Sequence, residues 1–365
     1  MNVNKRIGIL TSGGDCSGLN SAIRAAFIRS QALGYELVGI KRGLRGLADP
    51  NPDFLILDNV LCNESLLTSS GSVIYSNTDW VSSTIGQGKT TEDIKNSIYD
   101  GYQNLGLTGL IFIGGDGSLS LMKEFLIENL DINIVAIPKT IDNDVAITDF
   151  SIGFHTAVEV VSNSIENIRS TAKSHERAMV VEVMGRDAGF IAMYAGIASG
   201  VDAILIPEFK YSIESLKSKV KSCYDSGQNH CLIVAAEAVE NDEFKHDEEF
   251  VDGVVKYSQL QYRGIAQYIA QKLKAAGFNS RAVVLGHTQR GGKTAIDDRI
   301  LASAFGAEAV NLIDSRNSGK LLCYIKGKIE AINITELQNS FSKKISKSDI
   351  CVNIAKCFGV YIGEV

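Results

Sequence analysis

The chain has 365 residues, more than one small hydrophobic core usually organises, so we expect two domains. Hydrophobic residues make up 45% of the chain and charged residues 21%, as in ordinary globular proteins, and the net charge of −6 disfavours a nucleic-acid partner. No apolar run approaches the roughly 20 residues that span a bilayer, and the seven cysteines are scattered without a CxxC pair. We therefore expect a cytoplasmic protein with reduced thiols and no membrane partner.

Short apolar runs alternate along the chain with amphipathic stretches of helical length. The predicted strands are 6–10, 36–40, 109–115, 132–138, 178–184, 203–208, 231–237 and 281–287. The predicted helices are 18–33, 92–105, 118–129, 155–171, 187–199, 212–226, 261–276 and 297–314. This alternation predicts parallel sheets flanked by helices, with ligands beyond the carboxyl ends of the strands. The charge-rich segment 240–252 is predicted to be a solvated loop, and the tail from about 325 to hold the last strands and helix of one domain.

The first turn reads TSGGDCSGLNSAIR, residues 11–24, and joins a predicted strand to a predicted helix. Gly13, Gly14 and Gly18 let the backbone approach a ligand closely, and the amides at the start of the helix favour an anion. The stretch is neither a P-loop nor a GxGxxG motif. A tight strand-to-helix turn without a ligand remains the alternative.

A second turn of this kind reads IGGDGSLS, residues 113–120. Asp116 lies between Gly115 and Gly117, and a carboxylate at such a turn suits a divalent cation. Ser118 is predicted to cap the next helix. A simple capped turn is the alternative, although the string GGDGS recurs in kinases that lack a P-loop.

The stretch PKTIDND, residues 138–144, places two carboxylates directly after a buried strand. Transfer of a phosphoryl group to a sugar hydroxyl needs a base, a metal ion and cations around the transferring oxygens. Asp142 and Asp144 can act as base and support, Thr140 can donate to a phosphate, and Lys139 can add charge. A network of loop hydrogen bonds is the alternative reading.

Arginines and a histidine stand at the ends of two further strands. They are Arg177, Arg186, Arg281, His287 and Arg290. In a chain of net negative charge, this arrangement indicates phosphate recognition, with surface ion pairs as the alternative. Glu237 ends another strand and can accept hydrogen bonds from sugar hydroxyls. The other histidines, 155, 175, 230 and 246, are interpreted as structural.

Together these motifs resemble the phosphofructokinase A family over nearly the whole chain. GGDCSGLN, GGDGS, TIDND, SHER, VEVMGR and LGHTQRGG occur in the family's order, and IGF at 152–154 and DDRILASAFG at 297–306 extend the match. The resemblance implies a 6-phosphofructokinase that phosphorylates fructose 6-phosphate at its 1-hydroxyl, a step of glycolysis, with Mg²⁺ as cofactor. It implies two doubly wound three-layer α/β/α domains with mainly parallel sheets and the active site in the cleft between them. The donor domain would comprise 1–153 with about 289–339, and the sugar domain about 154–288 with 340–365.

The resemblance also implies a role for each site residue. Asp142 would take the proton of the 1-hydroxyl with Asp144 beside it, and Asp116 would hold Mg²⁺. Thr140 and Arg186 would steady the transferring phosphoryl group, which Gly14 would face with its amide. Gly115, Gly117, Ser118 and Lys139 would complete the donor site. The 6-phosphate would be bound by Arg177 and Arg281 from a neighbouring subunit and by His287 and Arg290 from the same one, with Met184, Gly185 and Glu237 lining the sugar. Shared active sites imply a homotetramer or homodimer.

The resemblance leaves two phosphoryl donors open, because this family uses either ATP or pyrophosphate. Gly117 resembles the ATP enzymes, since an aspartate there would repel the α-phosphate, whereas Lys139 resembles the pyrophosphate enzymes. The donor segment, residues 68–89, contains no Arg or Lys before Lys89, and Ser70 replaces the first glycine of the family's GGTxLG. We expect ATP, with pyrophosphate as the alternative. Regulation at an effector site is expected to be weak, because basic residues are replaced by Ser226 and Gln228.

Two other classes of protein remain open. NAD kinases and lipid kinases share GGDG(S/T) after a strand, but they lack TIDND, MGR and GHxQRGG together. A non-catalytic sugar-phosphate binder would explain the altered donor segment, but pure binding requires neither Asp142 nor Asp116.

Overall fold

The apolar runs become strands because their β-branched residues pack well on buried pleated surfaces. The computed structural model describes residues 5–124, 132–244, 247–251, 254–258, 264–336 and 342–364. Its strands are β1 (Arg6–Thr11), β2 (Glu36–Ile40), β3 (Phe54–Ile56), β4 (Leu107–Gly114), β5 (Ile134–Pro138), β6 (Ala178–Val183), β7 (Ala203–Leu205), β8 (Cys231–Ala236), β9 (Asp247–Val251), β10 (Val254–Ser258), β11 (Ser280–Val284), β12 (Lys320–Ile325) and β13 (Lys328–Asn333). Each of the eight predicted strands is present.

Helices lie between these strands, as predicted. They are α1 (Leu19–Ala32), α2 (Leu44–Leu47), α3 (Trp80–Gly86), α4 (Thr91–Asn104), α5 (Asp116–Met122), α6 (Phe154–Ser174), α7 (Phe190–Ala198), α8 (Ile213–Asp225), α9 (Gly264–Ala275), α10 (Ile296–Asp314) and α11 (Ile350–Cys357). The predicted helix 118–129 begins two residues earlier, and its part from 125 lies outside the described residues, as do 261–263 of the predicted helix 261–276. No described helix combines the length and apolarity that crossing a membrane requires.

The chain divides into two units, Met1–Thr156 with Arg290–Ser342, and Ala157–Gln289 with Lys343–Val365. The first unit contains a sheet in the order β13-β12-β5-β4-β1-β2-β3. Its strands are parallel from β12 to β2, and β13 and β3 are antiparallel at the edges.

Helices cover both faces of this sheet. Leu110 and Phe112 of β4 belong to a buried cluster with residues of α2, α4 and α5. Gly109 faces the opposite side, where a Cβ would collide with Ile313 of α10. Since α10 also packs closely against α1, the unit has three layers.

The second unit contains a fully parallel sheet in the order β11-β6-β8-β7. Helix α9 packs on β6, β8 and β11, α8 packs on β8 and α9, and α7 packs on β7, β8 and α11. The predicted fold class, α/β with mainly parallel sheets, is confirmed. The assignment of the two units to donor and sugar stays a prediction.

The prediction of a solvated loop over 240–252 is wrong in part. Residues Asp247–Val251 form β9, which pairs antiparallel with β10. The sequence carries Asp-Gly between two runs of strand-forming residues, which is a strong hairpin signal that the local charge obscured. Strand β3 was also missed, because three residues are too few to show a period of two.

Candidate active site

The glycine turn after β1 has the conformation that its sequence requires. Gly13 has φ 83° and Gly18 has φ 100°, values that glycine adopts without strain, and Gly18 is the N-cap of α1. The Gly13 amide donates to the Asn77 carbonyl at 3.0 Å, and the Ser76 hydroxyl donates to the Gly13 carbonyl at 2.6 Å. The donor segment therefore lies directly beside the turn.

Two cations are fixed on this turn. Lys139 is 3% exposed, and its Nζ donates to the Gly14 carbonyl at 2.5 Å. Arg290 Nη1 donates to the Asp15 carbonyl at 3.0 Å. A Cβ on Gly14 would lie 2.5 Å from that Nη1, so the guanidinium packs directly against the glycine and would have to shift to admit a side chain there. Burial lowers the pKa of Lys139, and the nearby Arg290 lowers it further.

The carboxyl ends of β4 and β5 bring two predicted motifs together. Gly114 pairs with Pro138 in the parallel ladder. A Cβ on Gly115 would lie 3.0 Å from the Lys139 carbonyl oxygen and 3.7 Å from Thr140 Cβ. The GGDGS turn and the start of the TIDND loop are thus in contact at one sheet edge. Asp116 is the first residue of α5 and is half-buried.

Ser118 does not cap α5. The N-cap is Gly115, with no side-chain cap hydrogen bond. The prediction failed because the helix begins at Asp116, which places Ser118 inside the first turn. At Gly117 a Cβ would meet no protein atom within 4 Å, so packing within the protein does not require a glycine there.

The TIDND loop is held by hydrogen bonds to residues 149–152. Thr140 Oγ1 donates to Asp142 Oδ2 at 3.2 Å and accepts from the Asp142 amide at 3.1 Å. Asn143 has φ 52°, a left-handed conformation that asparagine tolerates, and its side chain bonds the Ser151 amide and the Asp149 carbonyl. The loop therefore holds Asp142 in a defined position, and Asp144 is buried beside it.

Asp298 positions this region and was not identified as a site residue from the sequence. It is fully buried and accepts hydrogen bonds from the Gly153 amide (2.9 Å), the Thr156 amide (2.7 Å) and the Thr156 hydroxyl (2.6 Å). Burial raises the pKa of this carboxyl group. The sequence signal that could have identified Asp298 is the acidic pair at the start of DDRILASAFG, residues 297–306.

In the second unit, the MGR loop after β6 is strained at its centre. Gly185 has φ 146° and Arg186 has φ 50°, which is unusual for a residue with a side chain. The Arg186 amide donates to Glu237 Oε1 at 3.0 Å, which ties the ends of β6 and β8 together. The Met184 amide donates to Oε1 of Gln289, a buried residue that sequence reasoning missed although it lies inside LGHTQRGG.

The remaining arginines lie at strand ends of the same unit. Arg281 lies on β11, opposite Met179 of β6, and it is exposed. Arg177 precedes β6, and its buried Nε has no hydrogen-bond partner among the described residues. His287 is exposed in a short 3-10 helix, Gly286–Arg290.

Two adjoining cavities in the first unit share Ser76 and Thr78. One, of about 350 Å³, is lined by the glycine turn together with Ser72 and Tyr75. The other, of about 480 Å³, is lined by Ser76–Trp80, by Ser83, Thr84 and Gln87, and by Arg45 of α2. Arg45 is exposed and forms no ion pair with the described residues. It was not predicted, because it is 31 positions from Ser76 in the sequence.

Known proteins resemble this chain throughout its length. The sequence profile of the family described as "Phosphofructokinase" matches residues 6–313. The ATP-dependent 6-phosphofructokinase 1 of Nostoc sp. is 40% identical over 369 residues, covering 100% of both chains. The pyrophosphate–fructose 6-phosphate 1-phosphotransferase of Dictyoglomus thermophilum is 36% identical over 334 residues, 91% of this chain and 93% of its own. The solved phosphofructokinase of Saccharomyces cerevisiae is 27% identical with a TM-score of 0.75, over 91% of this chain and 45% of its own. The chain therefore belongs to the phosphofructokinase family.

Proposed function

We propose that this protein is a 6-phosphofructokinase that transfers a phosphoryl group to the 1-hydroxyl of fructose 6-phosphate. The observation that carries the proposal is the hydrogen-bonded pair of Thr140 and Asp142 at the end of β5, beside the GGDGS turn at the end of β4. A positioned carboxylate beside a strand-end acidic turn is the arrangement that phosphoryl transfer to a hydroxyl needs.

In the proposed mechanism Asp142 accepts the proton of the 1-hydroxyl. The hydroxyl oxygen of the sugar attacks the terminal phosphorus of the donor at the same time. The bond from that phosphorus to the leaving phosphate oxygen breaks, and the leaving group departs with the electron pair. Thr140 fixes one carboxylate oxygen of Asp142, and Asp144 supports the loop. Arg186 and the Gly14 amide stabilise the charge on the transferring oxygens.

The side chains at the ends of β4 and β5 offer carboxylate and hydroxyl oxygens, which are suitable ligands for Mg²⁺. We assign the ion to Asp116. When bound, it would neutralise charge on the donor phosphates. Gly115, Gly117 and Ser118 complete the donor side.

For the sugar phosphate, we assign His287, Arg177 and Arg281 to the 6-phosphate. Arg290 is assigned to it as well, and its guanidinium would have to leave the Asp15 carbonyl, to which it donates here, to bind that phosphate. Met184, Gly185 and Glu237 are assigned to the sugar. The strained backbone at Arg186 supports this assignment, because strained residues cluster at functional sites. The hydrogen bond from the Arg186 amide to Glu237 holds this conformation in place.

We propose ATP as the donor, with pyrophosphate as the alternative. The open space at Gly117 supports ATP, because nothing in the protein fills the volume that an aspartate would occupy. Arg45 lines the cavity of the donor segment from a different part of the chain, and its charge suits the phosphates of either donor. We assign Arg45 to the donor in place of the basic residues that 68–88 lacks.

We further propose that Arg177 and Arg281 act across a subunit interface, in a homodimer or homotetramer. Arg281 lies on β11, the edge strand of its sheet, and Val284 on the same strand is 56% exposed. An edge strand with an exposed apolar side chain is a surface that another subunit can cover. We also propose a cytoplasmic location, because the seven cysteines, all of them in the described part of the chain, form no disulfide, as is usual for proteins of a reducing compartment.

The test is formation of fructose 1,6-bisphosphate from fructose 6-phosphate and Mg²⁺, with ATP and pyrophosphate in parallel, for the wild type and Asp142→Asn. We expect turnover with ATP, and a kcat about 10²–10⁴-fold lower in the variant, because the base is lost. The surface substitution Asp225→Asn should leave kcat unchanged. Binding of fructose 6-phosphate without turnover on either donor would instead identify a non-catalytic sugar-phosphate binder.

A further inference from the structure

A cluster of two thiols and a carboxylate lies in the second unit, apart from every residue assigned above. Its members are Asp202, Cys223 and Cys231, whose ligand atoms all lie within 4.8 Å of one another. Within the part of the chain that the structure describes, this is the one group of three such side chains with that spacing. Asp202 immediately precedes β7, Cys223 lies in the last turn of α8, and Cys231 is the first residue of β8.

The spacing suits a tetrahedral ion. A zinc ion bound to sulfur at about 2.3 Å separates its ligand atoms by roughly 3.8 Å, so side-chain rotations alone can close the group around a metal. Cys223 is 3% exposed and Cys231 is fully buried, which places two soft ligands away from water. Asp202 is half-buried, so the cluster is not closed off from water on the carboxylate side.

The carboxylate is already oriented. Asp202 Oδ2 accepts a hydrogen bond from the Leu232 amide at 2.8 Å. Such a bond fixes a ligand's direction, as outer partners do in metal sites. It also links the turn before β7 to the second residue of β8.

The two thiols are already paired. A hydrogen bond joins Cys223 and Cys231, so their sulfur atoms lie in direct contact.

We propose that Asp202, Cys223 and Cys231 form a binding site for a soft divalent metal ion of the Zn²⁺ class. The ion completes its coordination with water and ties together the three consecutive elements β7, α8 and β8. The site is independent of the proposed phosphoryl transfer, and its water position remains open to exchange.

The other reading is that both cysteines serve only as small apolar core residues. Cys351 provides the comparison, because it is buried in the same unit with Asp349 nearby but has no second thiol in a ligand group. A site requires both thiols and Asp202, whereas simple core packing requires no carboxylate beside them.

The experiment uses the full chain, purified with reductant and stripped of metal, and titrates it with Co²⁺ and then Zn²⁺. We expect one Co²⁺ per chain, with thiolate-to-cobalt absorption that Zn²⁺ displaces. Cys223→Ser and Cys231→Ser should each weaken Co²⁺ binding about a hundredfold or more. Asp202→Asn should weaken it about tenfold while keeping the acceptor for the Leu232 amide. Cys351→Ser should bind as the wild type does.

Zinc at about a hundred times its Kd should raise the Tm of the wild type by roughly 3–4 °C, and that of Asp202→Asn by less. Absence of the thiolate absorption in the wild type would overturn the proposal. So would unchanged binding in Asp202→Asn, which stays informative if the serine variants fail to fold. Equal Co²⁺ binding by the wild type and by a variant that carries both serine substitutions would also reject the metal site.

Discussion

At the scale of single residues, a buried lysine lies against the glycine turn that we assign to the phosphoryl donor. Lys139 follows a strand of apolar residues, yet its Nζ lies against the Gly14 carbonyl within the glycine turn. Burying the charged amino group of a lysine costs free energy unless the group is paired or hydrogen-bonded. The lowered pKa shows that the folded chain disfavours the charged form, so an anionic donor would relieve that penalty.

We predict that Lys139→Gly raises the KM for the donor at least about tenfold, because a charge-assisted hydrogen bond worth about 1.5–3 kcal/mol is lost. The KM for fructose 6-phosphate should change little. Lys139→Met is the matched variant, since it fills the same space without charge. If methionine restores the donor KM, packing rather than charge explains the residue; an unchanged KM in both variants would reject a donor role.

Arg45 supports a second prediction at this scale. Arg45→Ala should raise the KM for ATP about fivefold, because an exposed charge near a phosphate contributes about 1 kcal/mol. The effect should weaken at high ionic strength. Arg42→Ala is the control, since Arg42 already pairs with Asp53 at 2.5 Å. Equal effects of the two substitutions on initial rates would show that Arg45 has no specific role.

At the scale of elements, a helix start organises the connection that follows the TIDND loop. Asp298 lies in the first turn of α10 and accepts three hydrogen bonds from residues 153 and 156. Residues 153 and 156 are distant in sequence from Asp298, so these hydrogen bonds hold the first turn of α10 against the start of α6. A buried carboxylate with three donors is an anchor whose removal leaves those donors unsatisfied.

We predict that Asp298→Ala lowers the free energy of unfolding by about 3 kcal/mol, because buried donors lose their acceptor. Asp297→Ala is the matched control, since Asp297 is exposed in the same helical turn and its loss should cost less than about 1 kcal/mol. Urea unfolding at neutral pH measures both. Similar losses in the two variants would contradict the anchoring role.

At the scale of the whole molecule, each of the two units contains its own parallel sheet, and the residues assigned to catalysis are divided between them. Asp142 belongs to the first unit and Arg281 to the second. If Arg281 serves the active site of a neighbouring subunit, two variants that are each defective can restore activity in a mixed oligomer. A mechanism within a single chain does not allow this.

We predict that Asp142→Asn and Arg281→Ala complement each other. When the two inactive variants are co-expressed and assembled at random, about a quarter of the sites should regain both side chains. Activity should then rise to roughly that fraction of the wild type, and light scattering should show an oligomer. Failure of mixed oligomers to regain activity would place Arg281 in the same subunit as its Asp142.

The strand-end motifs were predictable because each is local. The glycines, Asp116 and the TIDND loop follow apolar strands directly, and adjacent parallel strands bring their carboxyl ends to one edge. Arg45, Gln289 and Asp298 were missed, because their partners lie 31 to 145 positions away and nothing in their local sequence indicates the contact. Ser118 was misread because the start of α5 depends on the backbone of the turn, and the serine itself does not set it.

By itself the sequence determined the α/β class, the eight main strands, the motifs that mark the family and the candidate base. Those properties depend on hydrophobic periodicity and on short strings of residues. Only the tertiary structure decided which residues from distant parts of the chain are neighbours. It placed Lys139 against Gly14, Arg45 in the cavity of the donor segment, and Cys223 and Cys231 beside Asp202, because contacts between distant segments arise from packing of the whole chain, which local sequence patterns do not reveal.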